Sequence, residues 1–177
     1  MATATAPLAQ HLKARYLAYR AATDFDAKGL FYSDSCLQIC RPQPSYAAQD
    51  RATIVQYLRE AAAGGMNLAT SSTQQVPPMK GCTIRLATAD EFEFASDEVT
   101  LPAGFTAAEL KLKAQAEGWV GTRVDLWSES PEDTSRQMLV KVKYWWRKEG
   151  GEWVQILHDI MYMGPHDGTQ GTDGEVL

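Results

Sequence analysis

The sequence predicts an α+β protein in which helices pack on one face of a curved antiparallel sheet. Two helical patterns lie within the first 63 residues, a third follows at 107–117, and long strands come last. This order is typical of an α+β layout. Two β-type runs between Met138 and Met163 flank Gly150-Gly151, whose positive-φ pair suits a two-residue hairpin turn. At 177 residues and 45% hydrophobic content, the chain is expected to form one domain with its own core.

The helices carry local start and stop signals. Asp50 is suited to cap the second helix, because its side chain can accept from the first free backbone N–H groups. Thr106 and Glu109 form a capping box before the third helix, and Gly118 closes it. Helices are therefore predicted at Pro7–Thr23, Arg51–Ala63 and Ala107–Glu117.

Shorter strands precede the hairpin, and polar segments separate the elements. Strands are predicted at Ser35–Arg41, Cys82–Leu86 and Trp119–Trp127, with Glu91–Phe94 as a further candidate. Exposed loops are predicted at Asn67–Pro78 and Ser128–Ser135. The domain is expected to span residues 1–164. Residues 165–177 are rich in Gly, Asp and Thr and are predicted to form a flexible C-terminal tail.

The hairpin turn fixes which residues face each other. With Gly150-Gly151 at its centre, paired residue numbers sum to about 301, so Trp146 faces Gln155 and Val142 faces Asp159. Facing residues share a side of the sheet. The side predicted to line the interior comprises Met138, Val140, Val142, Tyr144, Trp146, Gln155, Leu157, Asp159 and Met161. A carboxylate, an amide and a phenol among apolar neighbours indicate a pocket wall.

Asp159 and His158 are the candidate acid–base groups. A carboxylate on an apolar sheet face loses hydration, which raises its pKa and suits it to proton transfer near neutral pH. The alternative for Asp159 is a structural ion pair with Arg41 or Arg123. His158 points to the opposite face in this register, but a one-residue shift exchanges the two residues. The sequence leaves both open.

Further side chains are candidates for holding a ligand. Four aromatic residues could line a pocket for an aromatic or polycyclic molecule, although single aromatic residues are more often part of the core. Gln155 could position polar groups of the ligand, and Arg41 could polarise its carbonyl. The ligand-binding candidates are Tyr16, Tyr32, Arg41, Tyr144, Trp146 and Gln155.

Composition argues against several classes of protein. The net charge of −5, without a basic cluster, argues against nucleic-acid binding. No apolar run reaches the roughly 18 residues that a membrane span needs. Three cysteines without a metal-binding spacing are expected to be free thiols, which favours a reducing, cytoplasmic location. The first 23 residues lack Asp and Glu, so a presequence is the alternative to a first helix. No metal or cofactor motif is present.

The chain resembles the SnoaL-like branch of the nuclear-transport-factor-2-like superfamily over roughly Leu8 to Gly164. The resemblance rests on the amphipathic first helix, the passage DFDAKGLFYSDSCLQI and the closing strand GGEWVQILHDI. It implies a cone of bent antiparallel sheet whose concave face is covered by helices. It also implies a pocket for small hydrophobic molecules such as polyketides, steroids or terpenoids, with no cofactor.

The resemblance adds one site residue and a partner. In scytalone dehydratase, an enzymatic relative, a Tyr-Asp pair follows the first helix, and the matching positions here are Phe25 and Asp26. Asp26 is therefore a third catalytic candidate, with a capping or turn role as the alternative. Family members dimerise through the outer sheet face, so a homodimer is expected. An apolar patch on that predicted face comprises Trp145, Val154, Ile156 and Ile160.

Two functions remain open from the sequence. The first is a cofactor-independent lyase, isomerase or cyclase that uses Asp159 or His158 on a small hydrophobic substrate. The second is a non-catalytic small-molecule binder or dimerisation module of the same superfamily.

Overall fold

The structure, a computed structural model, describes residues 6–64, 78–129, 132, 134 and 137–177. The helices are α1 (Ala6–Ala21), α2 (Phe25–Gly29), α3 (Arg51–Ala62), α4 (Asp97–Thr100) and α5 (Ala107–Glu117). The strands are β1 (Tyr32–Cys40), β2 (Met79–Leu86), β3 (Val120–Ser128), β4 (Leu139–Glu149), β5 (Glu152–Gly164) and β6 (Glu175–Val176). The loops predicted at Asn67–Pro78 and Ser128–Ser135 lie largely outside the described residues.

The six strands form one sheet in the order β1-β5-β4-β3-β2-β6. All neighbouring pairs are antiparallel except β1 and β5, which run parallel. The predicted α+β class with a curved sheet and packed helices is confirmed, and the parallel β1 is a detail that the strand pattern did not indicate. A parallel edge needs a crossover connection, and here the chain between β1 and β5 supplies it.

The hairpin turn forms as its glycines predict. Gly150 and Gly151 have φ values of 55° and 92°, which an L side chain adopts only with strain. The helix signals are confirmed as well. Asp50 accepts from the Thr53 amide at the start of α3, and the capping box starts α5 at the predicted residue.

Strand β5 contains a β-bulge that shifts its register against β4. Trp146 pairs with Gln155 as predicted, but Tyr144 pairs with His158 rather than with Leu157. One extra residue in β5 therefore lies between these two pairs, and a second register shift follows nearer the end of the strand. Bulges bend a strand and turn successive side chains to different faces.

Two hydrophobic clusters define the faces of the sheet. The inner face, which carries Val142, Tyr144 and Trp146, packs with α1 and α3 in one cluster. The outer face, which carries Trp145, packs with α4, α5 and Phe92 in the second cluster. The inner face is the side predicted to be interior, and for β4 that prediction is confirmed.

The outer face is covered by this chain itself. Trp145 and Ile156 are each 1% exposed and pack with Phe94 and Leu110 from the segment between β2 and β3. Ile160 packs with the inner cluster instead. Trp145 and Ile156 of the apolar patch are therefore already buried within one chain, whereas Val154 is partly exposed. A homodimer through the outer face stays a prediction, without support from that patch.

Residues Glu91–Phe94 do not form the strand that their alternation indicated. Ala89–Glu91 form a 3₁₀ turn, and Phe92 and Phe94 reach Trp145 without strand pairing. The alternation arises because the two phenylalanines pack on the sheet while the intervening glutamates meet its cationic side chains.

The C-terminal residues, predicted as a flexible tail, fold back onto the sheet. Glu175–Val176 pair with β2, and the Leu177 amide donates to Cys82 O at 2.9 Å. Asp173 forms an ion pair with Arg85. This placement differs from a free tail, because backbone pairing and an ion pair anchor the segment. Among the described helices, none has the length and apolar character needed to traverse a bilayer.

Candidate functional site: a pocket on the inner face

A pocket of about 180 Å³ lies between the inner face and α3. The described residues of its wall are mainly aliphatic and aromatic, with one imidazole and one amide. The lining residues are Tyr19, Tyr32, Gln38, Tyr46, Ile54, Tyr57, Leu58, Ala61, Leu126, Val140, Val142, Tyr144, His158, Ile160 and Met163. A concave, mostly apolar site with a few convergent polar groups is the usual form of a small-molecule site.

His158 is the basic group of this pocket. The β5 bulge turns it to the inner face, where it pairs across the sheet with Tyr144 on β4 and Gln38 on β1. Its ring lies edge-on to Tyr32 and Tyr144, at centroid distances of 4.8 and 5.0 Å. Burial lowers the pKa of His158 to about 3, because the imidazolium would lose its hydration. The imidazole is therefore neutral at physiological pH.

Gln155 holds one nitrogen of this imidazole. Its Oε1 lies 2.6 Å from His158 Nε2. A carbonyl oxygen only accepts, so this contact makes Nε2 the protonated nitrogen and leaves the lone pair on Nδ1. Nδ1 has no hydrogen-bond partner among the described residues. The bulge enables this contact, because it places two residues three apart on the same face.

A cluster of tyrosine side chains lies next to His158. The Tyr32 hydroxyl donates to the Tyr19 hydroxyl at 2.9 Å. Burial raises the pKa values of Tyr19, Tyr32 and Tyr144, so these phenols stay protonated and remain hydrogen-bond donors. Tyr46 and Tyr57 stack at 4.5 Å elsewhere in the lining.

Asp159 does not face this pocket, and the predicted register that placed it on the inner face is wrong. It lies on the outer face, 0% exposed, opposite Lys143. Arg41 donates to both of its oxygens, at 2.9 and 2.6 Å, and Lys143 Nζ lies 3.5 Å away. The alternative raised from the sequence, a structural ion pair with Arg41, is the observed one.

The ion pair of Asp159 belongs to a larger network on the outer face. Lys143, only 1% exposed, donates to the backbone oxygens of Glu91 and Glu93 and to the Glu93 carboxylate. Burial opposes ionisation of Glu93, but hydrogen bonds from Arg41 and Lys143 hold its pKa at about 2. Hydrogen bonds from Arg85 hold the pKa of Glu91 at about 2. The network fastens the segment after β2 to the sheet.

The remaining predicted residues divide between pocket, core and surface. Tyr32 and Tyr144 line the pocket. Tyr16 and Trp146 are buried in the inner cluster, where the Trp146 indole donates to Thr122 at 2.9 Å, and neither lines the pocket. They are core residues.

Arg41 and Asp26 lie away from the pocket. Arg41 serves the outer-face network, as described above. Asp26 lies in the first turn of α2 with its side chain 75% exposed, paired with Arg59. Asp24, not Asp26, caps this helix by accepting from the Asp26 amide, so Asp26 fills neither the predicted capping role nor a position in the pocket.

Several lining residues were not among the predicted site residues. Tyr19 and Tyr57 lie on the apolar stripes of their helices, so the sequence marked them as buried without marking them as pocket residues. Gln38 had a clearer signal, because it shares a strand face with Cys36 and Cys40, which are both buried. An amide between two buried residues on an apolar face indicates a site that holds a polar group.

Nothing in the described part of the chain groups three metal-ligating side chains together. Cys36, Cys40 and Cys82 are buried free thiols. Burial raises the pKa values of all three thiols, which disfavours the reactive thiolate form.

The curved sheet with its pocket defines a nuclear-transport-factor-2-like fold, and solved structures share it. A nuclear-transport-factor-2-like protein of unknown function from Pseudomonas putida KT2440 is 12% identical, with a TM-score of 0.51 over 94% of this chain and 93% of that one. A ketosteroid isomerase-like protein from Erwinia carotovora atroseptica SCRI1043 is also 12% identical, with a TM-score of 0.51 over 91% of this chain and 100% of that one.

A comparison with protein-family models assigns the chain to one family within this fold. The model of the SnoaL-like domain matches residues 1–177, and the chain therefore belongs to the SnoaL-like domain family. The superfamily includes isomerases and dehydratases. No curated protein matches the chain.

Proposed function

We propose that this protein is a cofactor-independent acid–base catalyst, of the isomerase, cyclase or lyase type, acting on a small hydrophobic molecule in the inner-face pocket. The observation that carries the proposal is His158, an imidazole in an apolar pocket whose Nε2 is held by Gln155 while Nδ1 has no partner among the described residues. A base in reach of a bound ligand is the first requirement for proton abstraction.

The protonation states suit the start of such a reaction. His158 is neutral at pH 7 because burial lowers its pKa, so its lone pair is available to accept a proton. Tyr144 lies beside it and stays protonated, so it can donate to an oxygen on which negative charge develops. A weak base suffices when hydrogen-bond donors stabilise the enolate that forms, as in ketosteroid isomerase.

A non-catalytic binder is the second candidate, and one observation favours it. None of the described lining residues is an Asp, Glu, Lys or Arg, so no second charged group among them supports His158. With its pKa at about 3, the imidazole alone is a weak base. In that case the pocket would hold the same kind of molecule without changing it.

Exchange of α-protons separates the two candidates without knowledge of the substrate. Uncharged ketones of one to four rings are incubated with the protein in D₂O, and loss of the α-proton signals is followed by NMR. We expect acceleration of exchange for at least one ketone, and a loss of roughly 100-fold or more with His158→Gln, since a positioned base contributes about that factor.

The matched control is His11→Gln, since His11 is an exposed histidine on α1 and away from the lining. It should exchange at the wild-type rate. Exchange that persists in His158→Gln would remove His158 from the mechanism. A ketone that binds at the pocket without any accelerated exchange would favour the binder.

A further inference from the structure

We propose that the ligand of the inner-face pocket is an uncharged molecule with a single ring that carries a hydroxyl group. This inference builds on the proposed function, because it concerns the same pocket, and it names the class of ligand. Three properties of the pocket, taken over the part of the chain that the structure describes, support it: its size, the lack of charged lining side chains and two polar atoms without hydrogen-bond partners.

The size of the pocket favours one ring. Its volume is about 180 Å³, and an engineered protein cavity of about 150 Å³ holds benzene. A ring with a few substituents therefore fills the pocket. A molecule of three or four fused rings would leave much of its apolar surface outside, and burial of that surface is the main source of affinity in such a site.

The lining excludes a charged ligand. An ion transferred into a mostly apolar site loses its hydration, and only an opposite charge or a set of hydrogen bonds offsets this loss. The lining, as far as the described residues form it, contains neither a carboxylate nor a basic side chain that is charged at neutral pH. The nearby cations Arg41 and Lys143 are paired with acids on the outer face.

Two hydrogen-bond acceptors in the pocket have no partner among the described residues, and they favour a ligand that donates a hydrogen bond. Gln38 Nε2 donates to Tyr46 O at 2.9 Å, and its Oε1 has no hydrogen bond with the described residues. His158 Nδ1 is the second such atom. Gln38 and His158 are register partners on β1 and β5, so the two acceptors come from neighbouring positions. A ligand hydroxyl can donate to one of them, whereas a hydrocarbon leaves both unsatisfied.

Four probes separate these properties. Phenol has one ring and a hydroxyl, toluene has nearly the same shape without a donor, benzoate adds a charge, and 9-phenanthrol has three fused rings. Each is titrated into protein carrying ¹³C-methyl methionine, and the Met163 methyl reports binding because Met163 lines the pocket. Met161 does not line it and serves as the internal reference.

We expect phenol to shift the Met163 signal with a dissociation constant at least tenfold lower than those of toluene and benzoate, and 9-phenanthrol to cause no shift. Ala61→Trp, in the lining, should weaken phenol binding at least tenfold. Ala62→Trp is the matched control, since Ala62 is the exposed neighbour outside the lining, and it should leave binding unchanged.

Equal binding of benzoate or 9-phenanthrol would overturn the proposed ligand class, and equal binding of toluene would overturn the hydroxyl requirement. An unchanged phenol response in Ala61→Trp would place the site elsewhere and overturn the proposal. These outcomes concern binding alone. If phenol binds as expected but no ketone undergoes exchange, the proposed ligand class is supported and the catalytic role is not. If phenol does not bind but a larger ketone undergoes His158-dependent exchange, the catalytic role is supported and the ligand class is not.

Discussion

The two faces of the sheet treat neighbouring ionisable residues in opposite ways. On the inner face His158 is buried with no counter-ion among the described residues, and burial holds it in the neutral state. On the outer face Asp159 is buried to a similar degree but is held by Arg41 and Lys143. Burial alone therefore does not identify a functional group. An ionisable residue without a charged partner, beside a pocket, is the better candidate.

Asp159→Asn tests the ion-pair network on the outer face and should cause the largest loss of stability. Removing the buried carboxylate leaves Arg41 and Lys143 to share Glu93, so one positive charge is uncompensated. We expect a loss of about 3–5 kcal/mol in the free energy of unfolding. Urea denaturation measures this loss. Phenol binding at Met163 should be unchanged under conditions where the variant is folded, because Asp159 lies on the other face.

A double variant sharpens this comparison. Asp159→Leu with Lys143→Met removes both ends of one contact, and a buried pair replaced by apolar residues is often nearly neutral. It should be more stable than either single variant. Normal stability of Asp159→Asn together with a loss of proton exchange would restore Asp159 as a catalytic candidate.

The pH dependence of the free energy of unfolding tests whether His158 is buried and neutral on the inner face. Its expected size lies between the effects of Asp159→Asn and Asp26→Ala. The unfolded chain binds a proton at His158 below about pH 6.5, whereas the folded protein resists it until about pH 3. The contribution of His158 to the free energy of unfolding is therefore fully present above about pH 6.5, and it is lost as the pH decreases toward 3. Between pH 7 and pH 5 we expect a loss of about 2 kcal/mol, from 1.36 kcal/mol per pKa unit.

His158→Gln is the reference for this measurement, since the other histidines remain in it. Urea denaturation of both proteins at the two pH values should show about 2 kcal/mol less pH dependence in the variant. The depressed pKa values of Glu91 and Glu93 affect stability only below about pH 4.5, outside this window. Equal pH dependence in both proteins would contradict a buried, neutral His158.

Asp26→Ala should have the smallest effect. The carboxylate is exposed and its partner Arg59 is also exposed, so their ion pair contributes little. We expect a change within about 0.5 kcal/mol in urea denaturation and no change in ketone exchange. A large loss of exchange with unchanged stability would return Asp26 to the catalytic candidates.

Local sequence signals predicted the elements of this fold well. Thr106, Glu109 and Gly118 gave the bounds of α5, and Gly150-Gly151 gave the hairpin turn. Each of these signals acts within a few residues of the backbone that it shapes. The face of β4 followed directly from the turn, because side chains alternate along a regular strand.

The site was predicted only in part, because the register of β5 is not encoded locally. In the run Ile156-Leu157-His158-Asp159, a regular strand places one aliphatic and one ionisable residue on each face in either register, whereas the bulge puts both aliphatic residues with the outer cluster. No glycine or proline marks the bulge. The choice depends on Glu93 and Arg41, distant residues that meet Asp159 or its partners on the outer face, and on the tyrosines that surround His158 on the inner one.

Because β5 carries one residue more than β4 between Gln155 and His158, comparisons within this family should track strand register as closely as substitutions. A relative without the extra residue keeps the His158 column opposite Tyr144, because the deletion removes the bulge and restores regular alternation after Gln155. A relative of equal length that pairs without the bulge turns the Asp159 column toward its ligand. The proton chemistry of this site thus depends on how the strand pairs as well as on which side chains it carries.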